Sequence, residues 1–190
     1  MSERTVPLGR PRSEDARLAV LRAVDNMLVE EGYAAMTMKG IAERAGVGRQ
    51  TVYRWWSSKA EILLEASATD AARELTVRSA ADPVVEVTRF LAALADFLRK
   101  SDAGLAYRAL LGEAQHDRKV AALLEEADIL GSASQAVIRR LQERACIDPA
   151  EELGGLVSEL VGPLLYRIIA EEWVPKKADL GRMAERFLSR

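Results

Sequence analysis

The sequence predicts an all-α chain, with a small N-terminal helical head on a larger helical C-terminal domain. Three features dictate this. Ala, Leu, Glu and Arg are abundant while aromatic residues are only 5% of the 190 residues, a composition that favours helix over strand. Apolar residues recur at three- and four-residue spacing, and nowhere alternate at the spacing of two that a half-buried strand needs. Glycines, prolines and capping residues cut this pattern into segments of helical length.

Residues 1–12 read as a disordered basic arm, because Pro7, Gly9 and Pro11 interrupt Arg4, Arg10 and Arg12. Ser13 can cap a first helix, with Glu14 and Asp15 suited to its electropositive first turn. Leu18, Leu21, Val24 and Leu28 recur at helical spacing, Gly32 stops the helix, and Tyr33 is placed as a core plug. Thr37 is the expected N-cap of a short second helix reaching about Ala45. Its usual acidic partner three residues on is replaced by Gly40. Gly46 can take the left-handed conformation that ends this helix, and Gly48 opens a third near 49–55. Ser57 caps a fourth, about 57–78, with Ile62, Leu63 and Ala66 on its inner face. Further helices are expected at 83–100, 103–113, 117–144, 149–172 and 176–189, about nine in all. Pro83 and Pro149 sit just inside helix starts, and Asp148 is the N-cap before Pro149. The domain division expected is an arm at 1–12, a helical head at 13–60 and a C-terminal domain at 61–190.

Composition excludes several function classes. The net charge of −2 hides an asymmetry: residues 1–60 carry ten Lys/Arg against seven Asp/Glu, and residues 61–190 carry seventeen against twenty-two. A basic first third on an acidic remainder suggests that the first part meets a polyanion. No uninterrupted run long enough to span a membrane is present, and "MSERTVPLGRPRSEDA" has no apolar core for a signal peptide. Cys146 is the single cysteine, so no internal disulfide framework exists and a reduced cytoplasmic compartment fits best. One His and one Cys leave no metal cluster, and no Gly-x-Ser-x-Gly elbow or phosphate-cradling glycine loop appears. Neither an enzyme nor a cofactor is expected.

The stretch "IAERAGVGRQTVYRWW", 41 to 56, reads as helix, tight turn, helix. Ile41, Ala42 and Ala45 give the first helix a small apolar face that lets another helix cross closely. Val47 plugs the turn and Val52 anchors the second helix. Arg49, Gln50, Thr51, Tyr53 and Arg54 are left largely uncommitted. Arginine can pair with guanine and glutamine with adenine, while Thr and Tyr hydroxyls suit phosphates. This is helix-turn-helix geometry, whose second helix enters the major groove.

The extended pattern resembles the TetR family of bacterial transcriptional regulators. Thr37, Ile41-Ala42, Ala45-Gly46-Val47, Thr51-Val52-Tyr53, Trp56, and Lys59 before Leu63 carry the resemblance, which covers about residues 13 to 64. It implies base or adjacent phosphate contacts at Arg49 and Gln50, and phosphate contacts at Thr51, Tyr53 and Lys59. Thr37 caps toward the DNA backbone, Lys39, Arg54 and Trp55 complete the candidate surface, and Trp56 is core. Gly48 replaces the commoner Ser, which removes one hydroxyl contact. The arm at 1–12 is expected to make weak contacts with DNA.

One recognition helix reads few base pairs, so a homodimer on a palindromic operator is expected. Helix 149–172 carries Gly154, Gly155, Ser158 and Gly162 along one face, with Pro163 expected to kink it. Helix 176–189 shows Leu180, Met183, Ala184, Phe187 and Leu188 at helical spacing. The dimer face expected is therefore Gly155, Ser158, Gly162, Leu180, Met183, Ala184 and Phe187. The resemblance also implies a small-molecule effector pocket among the middle helices, with Tyr107, Arg108, Glu113, His116 and Tyr166 as candidate polar lining. Together these features predict a ligand-responsive repressor. The alternative is a helical protein-interaction module that has lost DNA readout.

Overall fold

A computed structural model describes residues 10–189, with side chains from Glu14 onward. Among these residues the chain forms ten α-helices, one 3-10 helix and no strand. They are α1 (Arg10–Glu31), a 3-10 turn (Tyr33–Ala35), α2 (Met38–Ala45), α3 (Arg49–Trp55), α4 (Lys59–Glu74), α5 (Pro83–Lys100), α6 (Asp102–Ala114), α7 (Arg118–Ala127), α8 (Ile129–Glu143), α9 (Leu153–Glu171) and α10 (Lys177–Leu188). The chain divides into two compact units, Met1–Ala66 and Ser67–Arg190, and α4 begins in the first and ends in the second.

In the first unit, the core is a set of apolar side chains at helical spacing. Val20, Val24, Met27 and Leu28 of α1, Ile41 and Ala42 of α2, Val52 of α3, Trp56, and Ile62 and Leu63 of α4 are all 4% exposed or less, and α2 packs on α1 and α3. Leu18, expected on this stripe, is 42% exposed. Helix α1 starts at Arg10 rather than at Ser13, with Pro11 in its first turn, where a missing N–H costs nothing. Residues 10–12 are thus helical rather than part of a loose arm, and residues 1–9 lie outside the described residues. Tyr33 is half-buried in the 3-10 turn instead of plugging the core. The start of α4 moves from Ser57 to Lys59. Ser58 Oγ accepts the Glu61 N–H at 3.2 Å, and the Glu61 carboxylate accepts the Ser57 N–H at 2.7 Å, a capping box displaced by one residue.

In the second unit, α5 is central and packs against α6, α8, α9 and α10. Its Val87, Phe90, Leu91, Leu94, Phe97 and Leu98 are at most 1% exposed. Asp82 accepts the Val84 N–H at 2.8 Å, and Pro83 occupies the first turn as the sequence indicates. Gly104 lets α6 turn back tightly: a Cβ there would lie 1.7 Å from the Phe97 carbonyl oxygen. Gly104→Ala must move backbone, and should cost about 1–3 kcal/mol. Chemical denaturation checks this, and an unchanged midpoint would contradict the close approach.

The helix expected at 117–144 is two helices. Asp128, at φ 39° and ψ 44°, ends α7 and starts α8. Aspartate tolerates the left-handed region better than most residues, so no glycine or proline announces the break. This adds one helix to the expected number. The helix expected at 149–172 begins instead at Leu153. Glu152 is its N-cap, its carboxylate accepting the N–H groups of Gly154 at 2.7 Å and Gly155 at 2.6 Å. Those two donors hold the Glu152 carboxyl below the usual carboxylate range. Asp148 caps only a turn, through the Ala150 N–H at 2.9 Å, and Pro149 precedes the helix.

One buried charge ties the second unit together. Glu86, wholly buried at the start of α5, accepts hydrogen bonds from Arg140 Nε at 2.8 Å, Arg144 Nη1 at 2.9 Å and the Ala80 N–H at 3.1 Å. Arg144 also reaches the Ala81 carbonyl at 2.6 Å, which pins the segment before α5 to α8.

Helix α9 corrects the expectation that no segment is apolar enough to cross a membrane. Its 19 residues reach a mean hydropathy of 1.4 in the most apolar window, long and apolar enough by length and composition alone. A search for unbroken apolar runs misses it because Ser158, Glu159 and Arg167 interrupt. Leu156, Leu160, Val161, Leu164 and Ile168 pack one face of α9 into the core.

Candidate nucleic-acid interface

The turn between α2 and α3 is built from backbone bonds. Gly46, at φ 68° and ψ 28°, donates its N–H to the Glu43 carbonyl at 3.2 Å, and Val47 donates to the Ala42 carbonyl at 3.0 Å. This pair of bonds closes a helix end in the Schellman manner and needs a residue at ease with positive φ, which Gly46 supplies. At the other end of α2, Thr37 Oγ accepts the Gly40 N–H at 3.0 Å, the cap expected from sequence. Arg44 then fastens α2 to α1 through Glu30 at 2.8 Å and Glu31 at 2.9 Å. The Glu30 hydrogen bond leads in raising the Arg44 pKa.

Helix α3 is anchored by the fully buried Val52 and by Trp56, whose indole N–H donates to Glu65 at 2.8 Å. Arg17 pairs with the other oxygen of that carboxylate at 2.5 Å. With these anchors inward, Arg49, Gln50, Tyr53 and Arg54 are exposed, Tyr53 at 56%, and Thr51 and Trp55 are half-buried. Positions 49, 50 and 53 share one face of a helix of 3.6 residues per turn. The Trp55 ring meets Trp56 edge-on, centroids 5.4 Å apart, and the Arg54 guanidinium lies 5.0 Å from the Trp55 ring centre. Thr37 and Lys39 are exposed on α2 and at its cap.

Two residues change the sequence-derived picture. Glu43, not foreseen, places its carboxylate 3.8 Å from Lys39 Nζ and 3.9 Å from Arg49 Nη2. The Lys39–Glu43 spacing of four was legible, but the reach from Arg49 across the turn was not. Lys59, expected to contact phosphate, also has partners within the chain. Its ammonium donates to the Tyr33 carbonyl at 2.8 Å and the Met36 carbonyl at 3.1 Å, and lies 4.1 Å from the centre of the Tyr33 ring. Lys59 thereby holds the entry to α2 against the start of α4. Lys59→Met should lower the stability of the first unit by about 1–3 kcal/mol, the Met36 carbonyl losing its ammonium donor and the Tyr33 carbonyl keeping only the Met36 N–H. Thermal unfolding followed at Trp55 and Trp56 reads this, and an unshifted transition would show the clamp to be idle.

Of the residues expected around an effector, Tyr107, Arg108 and Glu113 are half-buried on α6, while His116 and Tyr166 are exposed. Tyr166 is 64% exposed and His116 is exposed in the turn after α6, so neither lines an interior site. Glu113 is half-buried, and its carbonyl accepts the His116 and Asp117 N–H groups at 2.9 Å. Arg108 keeps its Nε buried with no hydrogen-bond partner. Tyr107 packs on Phe97, ring centres 6.1 Å apart, and burial, with Asp128 adding, pushes its hydroxyl up to about 12. Two cavities described in the second unit, one between α5 and α10 and one between α5, α9 and α10, take in none of the five.

The expected dimer face also splits. Leu180, Ala184 and Phe187 are 4%, 0% and 7% exposed and pack inside the unit, since α10 lies along α5. Met183 and Gly162 are half-buried, while Gly155 and Ser158 are exposed. Along α9 they continue into Tyr166 and Ile169, 64% and 45% exposed.

Comparison with known proteins places this architecture. Residues 20–66 match the family described as "Bacterial regulatory proteins, tetR family", and residues 82–187 match "Tetracyclin repressor-like, C-terminal domain". The uncharacterized HTH-type transcriptional regulator YdeS of Bacillus subtilis is 31% identical over 85% of this chain and 82% of its own length. The HTH-type transcriptional regulator EthR of Mycobacterium tuberculosis is 33% identical over 33% of this chain and 31% of its own length. Among solved structures, the TetR family transcription regulator SCO0332 superposes with a TM-score of 0.76 at 24% identity, over 92% of this chain and 97% of that one. EbrR, a multidrug binding protein solved with imidazole, gives a TM-score of 0.69 at 18% identity, over 96% of this chain and 97% of that one. The two family matches and the 31% identity to YdeS show that the chain belongs to the TetR family of bacterial transcriptional regulators.

Proposed function

We propose that the chain acts in the cytoplasm, without a membrane partner, as a homodimeric repressor on a palindromic operator, released by a small-molecule effector. The observation that carries the DNA reading is the face of α3. Arg49, Gln50 and Tyr53 are exposed on one side of a helix held from behind by the buried Val52. Arg49 suits the O6/N7 edge of guanine and Gln50 the N6/N7 edge of adenine. Tyr53, Thr51, Thr37 and Lys39 suit phosphate oxygens, with Arg54 and Trp55 flanking. Lys59 serves by positioning α2.

The homodimer reading is supported by α9. Only 28% of its most apolar window is buried, and Gly155, Ser158 and Gly162 leave a face that another helix can approach closely. Tyr166, removed from the effector site, supplies aromatic area beside them. The effector reading is supported by the family match over 82–187 and by the fold shared with EbrR. An effector can release DNA only by binding the non-DNA conformation more tightly, and α4 is the chain segment common to both units.

The experiment that tests DNA binding against a protein-interaction role is a salt titration of affinity for duplex DNA. Phosphate contacts by a dimer should weaken binding by about a thousandfold or more between about 50 and 200 mM salt. A flat response would favour the protein-binding role.

A further inference from the structure

We propose that the groove between α5 and α10 binds an anionic amphiphile, a medium- or long-chain carboxylate, as the effector. This rests on reading Ser67–Arg190 as the effector unit, and adds the chemistry of the ligand. The groove encloses about 1010 Å³, at the upper end of the size of small-molecule sites. Its floor is apolar, formed by Val85, Ala92, Val174 and Leu180. Val85 and Val174 are 40% and 59% exposed, so two large apolar side chains face water within a concavity.

Its charged lining is one-sided. Arg89, Arg99, Lys100 and Lys177 stand against the single carboxylate of Asp96. Asp96 is already taken by Lys100, 2.6 Å away. Arg89, Arg99 and Lys177 form no ion pair among the described residues. Three uncompensated cations over an apolar floor make a positive field above an apolar surface. A small inorganic anion would answer the cations and leave the floor wet. A neutral hydrocarbon would do the reverse, and a cationic amphiphile would be repelled. A carboxylate on an alkyl chain satisfies both parts. A second copy of the chain is a poor occupant, because a two-fold contact through this groove would bring its cations against themselves.

Gly181 provides the means to test this. It lines the groove within α10, and a Cβ built there meets nothing within 4 Å. Gly181→Phe directs a ring from this open position toward the groove, with thermal stability as the check on the fold, and Gly181→Ala serves as a control that barely enters it. The experiment is calorimetric titration of the full chain with dodecanoate and with dodecyltrimethylammonium, both below their micellar concentrations. Dodecanoate should bind about tenfold or more tightly than the cation, a difference of about 1.4 kcal/mol. Arg89→Glu combined with Arg99→Glu should remove that preference. Gly181→Phe should weaken dodecanoate by about tenfold or more, with Gly181→Ala unchanged and thermal stability retained in both. Equal binding of the two head groups, or full dodecanoate affinity in Gly181→Phe, would overturn the proposal. DNA affinity of the parent chain is measured without amphiphile, so failure of the ligand assignment is separable from failure of the regulator reading.

Discussion

Glu86→Gln should destabilise the second unit by about 3 kcal/mol or more, in the range found when one partner of a buried ion pair is removed. The carboxylate is wholly buried, and it answers two guanidinium groups and one backbone N–H at once. Glutamine keeps one acceptor oxygen but carries no charge, so Arg140 and Arg144 lose their counter-ion. These arginines are 32% and 33% exposed, so water screens part of the loss. The melting temperature should fall by roughly 10 °C. Acid behaviour gives an independent readout. Burial alone pushes the Glu86 carboxyl up, but the Ala80 N–H, Arg140 and Arg144 together outweigh it and hold the group below its ordinary range. A carboxyl depressed on folding contributes fully above its unfolded pKa of about 4.3, and loses that contribution as pH falls through the lower folded value. The parent chain should therefore lose stability below about pH 4 more steeply than Glu86→Gln. Parallel acid limbs would show that Glu86 is not the group responsible.

Arg49→Ala and Gln50→Ala should each lower affinity for the preferred operator by about 1–3 kcal/mol, and relax sequence preference at their own positions. Tyr53→Ala should weaken preferred and random DNA alike, since a phosphate contact carries no sequence information. Glu43→Gln should act in the opposite sense. It removes a carboxylate 3.9 Å from Arg49 in a surface that meets polyanions, so affinity for all sequences should rise modestly. Competition binding with operator and random duplexes distinguishes these patterns. Equal losses on both duplexes for Arg49→Ala would reassign that residue to the phosphates.

The helix-turn-helix was legible because each part rests on a local rule. Thr37 is a cap, Gly46 a left-handed corner, and Val52 the lone apolar anchor of a short helix. Less local features escaped. Asp128 breaks a helix without glycine or proline, because its own backbone adopts the left-handed region. Glu86 meets Arg140 and Arg144 across more than fifty residues, a separation that no periodicity reveals. Lys59 reaches carbonyls at Tyr33 and Met36, 26 and 23 residues away, which no local rule reveals. The stripe on α10 was read correctly as apolar, but a stripe does not say which neighbour it meets. Here α5 covers Leu180, Ala184 and Phe187. The α9 face with Gly155 and Tyr166 remains the candidate for a second chain.

Selection of bound duplexes from a random pool by the full chain tests the central claim most directly. The dimeric repressor reading predicts enrichment of an inverted repeat, with half-sites centred about 10 base pairs or a multiple of that apart. The same selection with Arg49→Ala and Gln50→Ala combined should lose the base preferences within each half-site. Enrichment of no motif, or of a single unrepeated site indifferent to those two substitutions, would contradict the account.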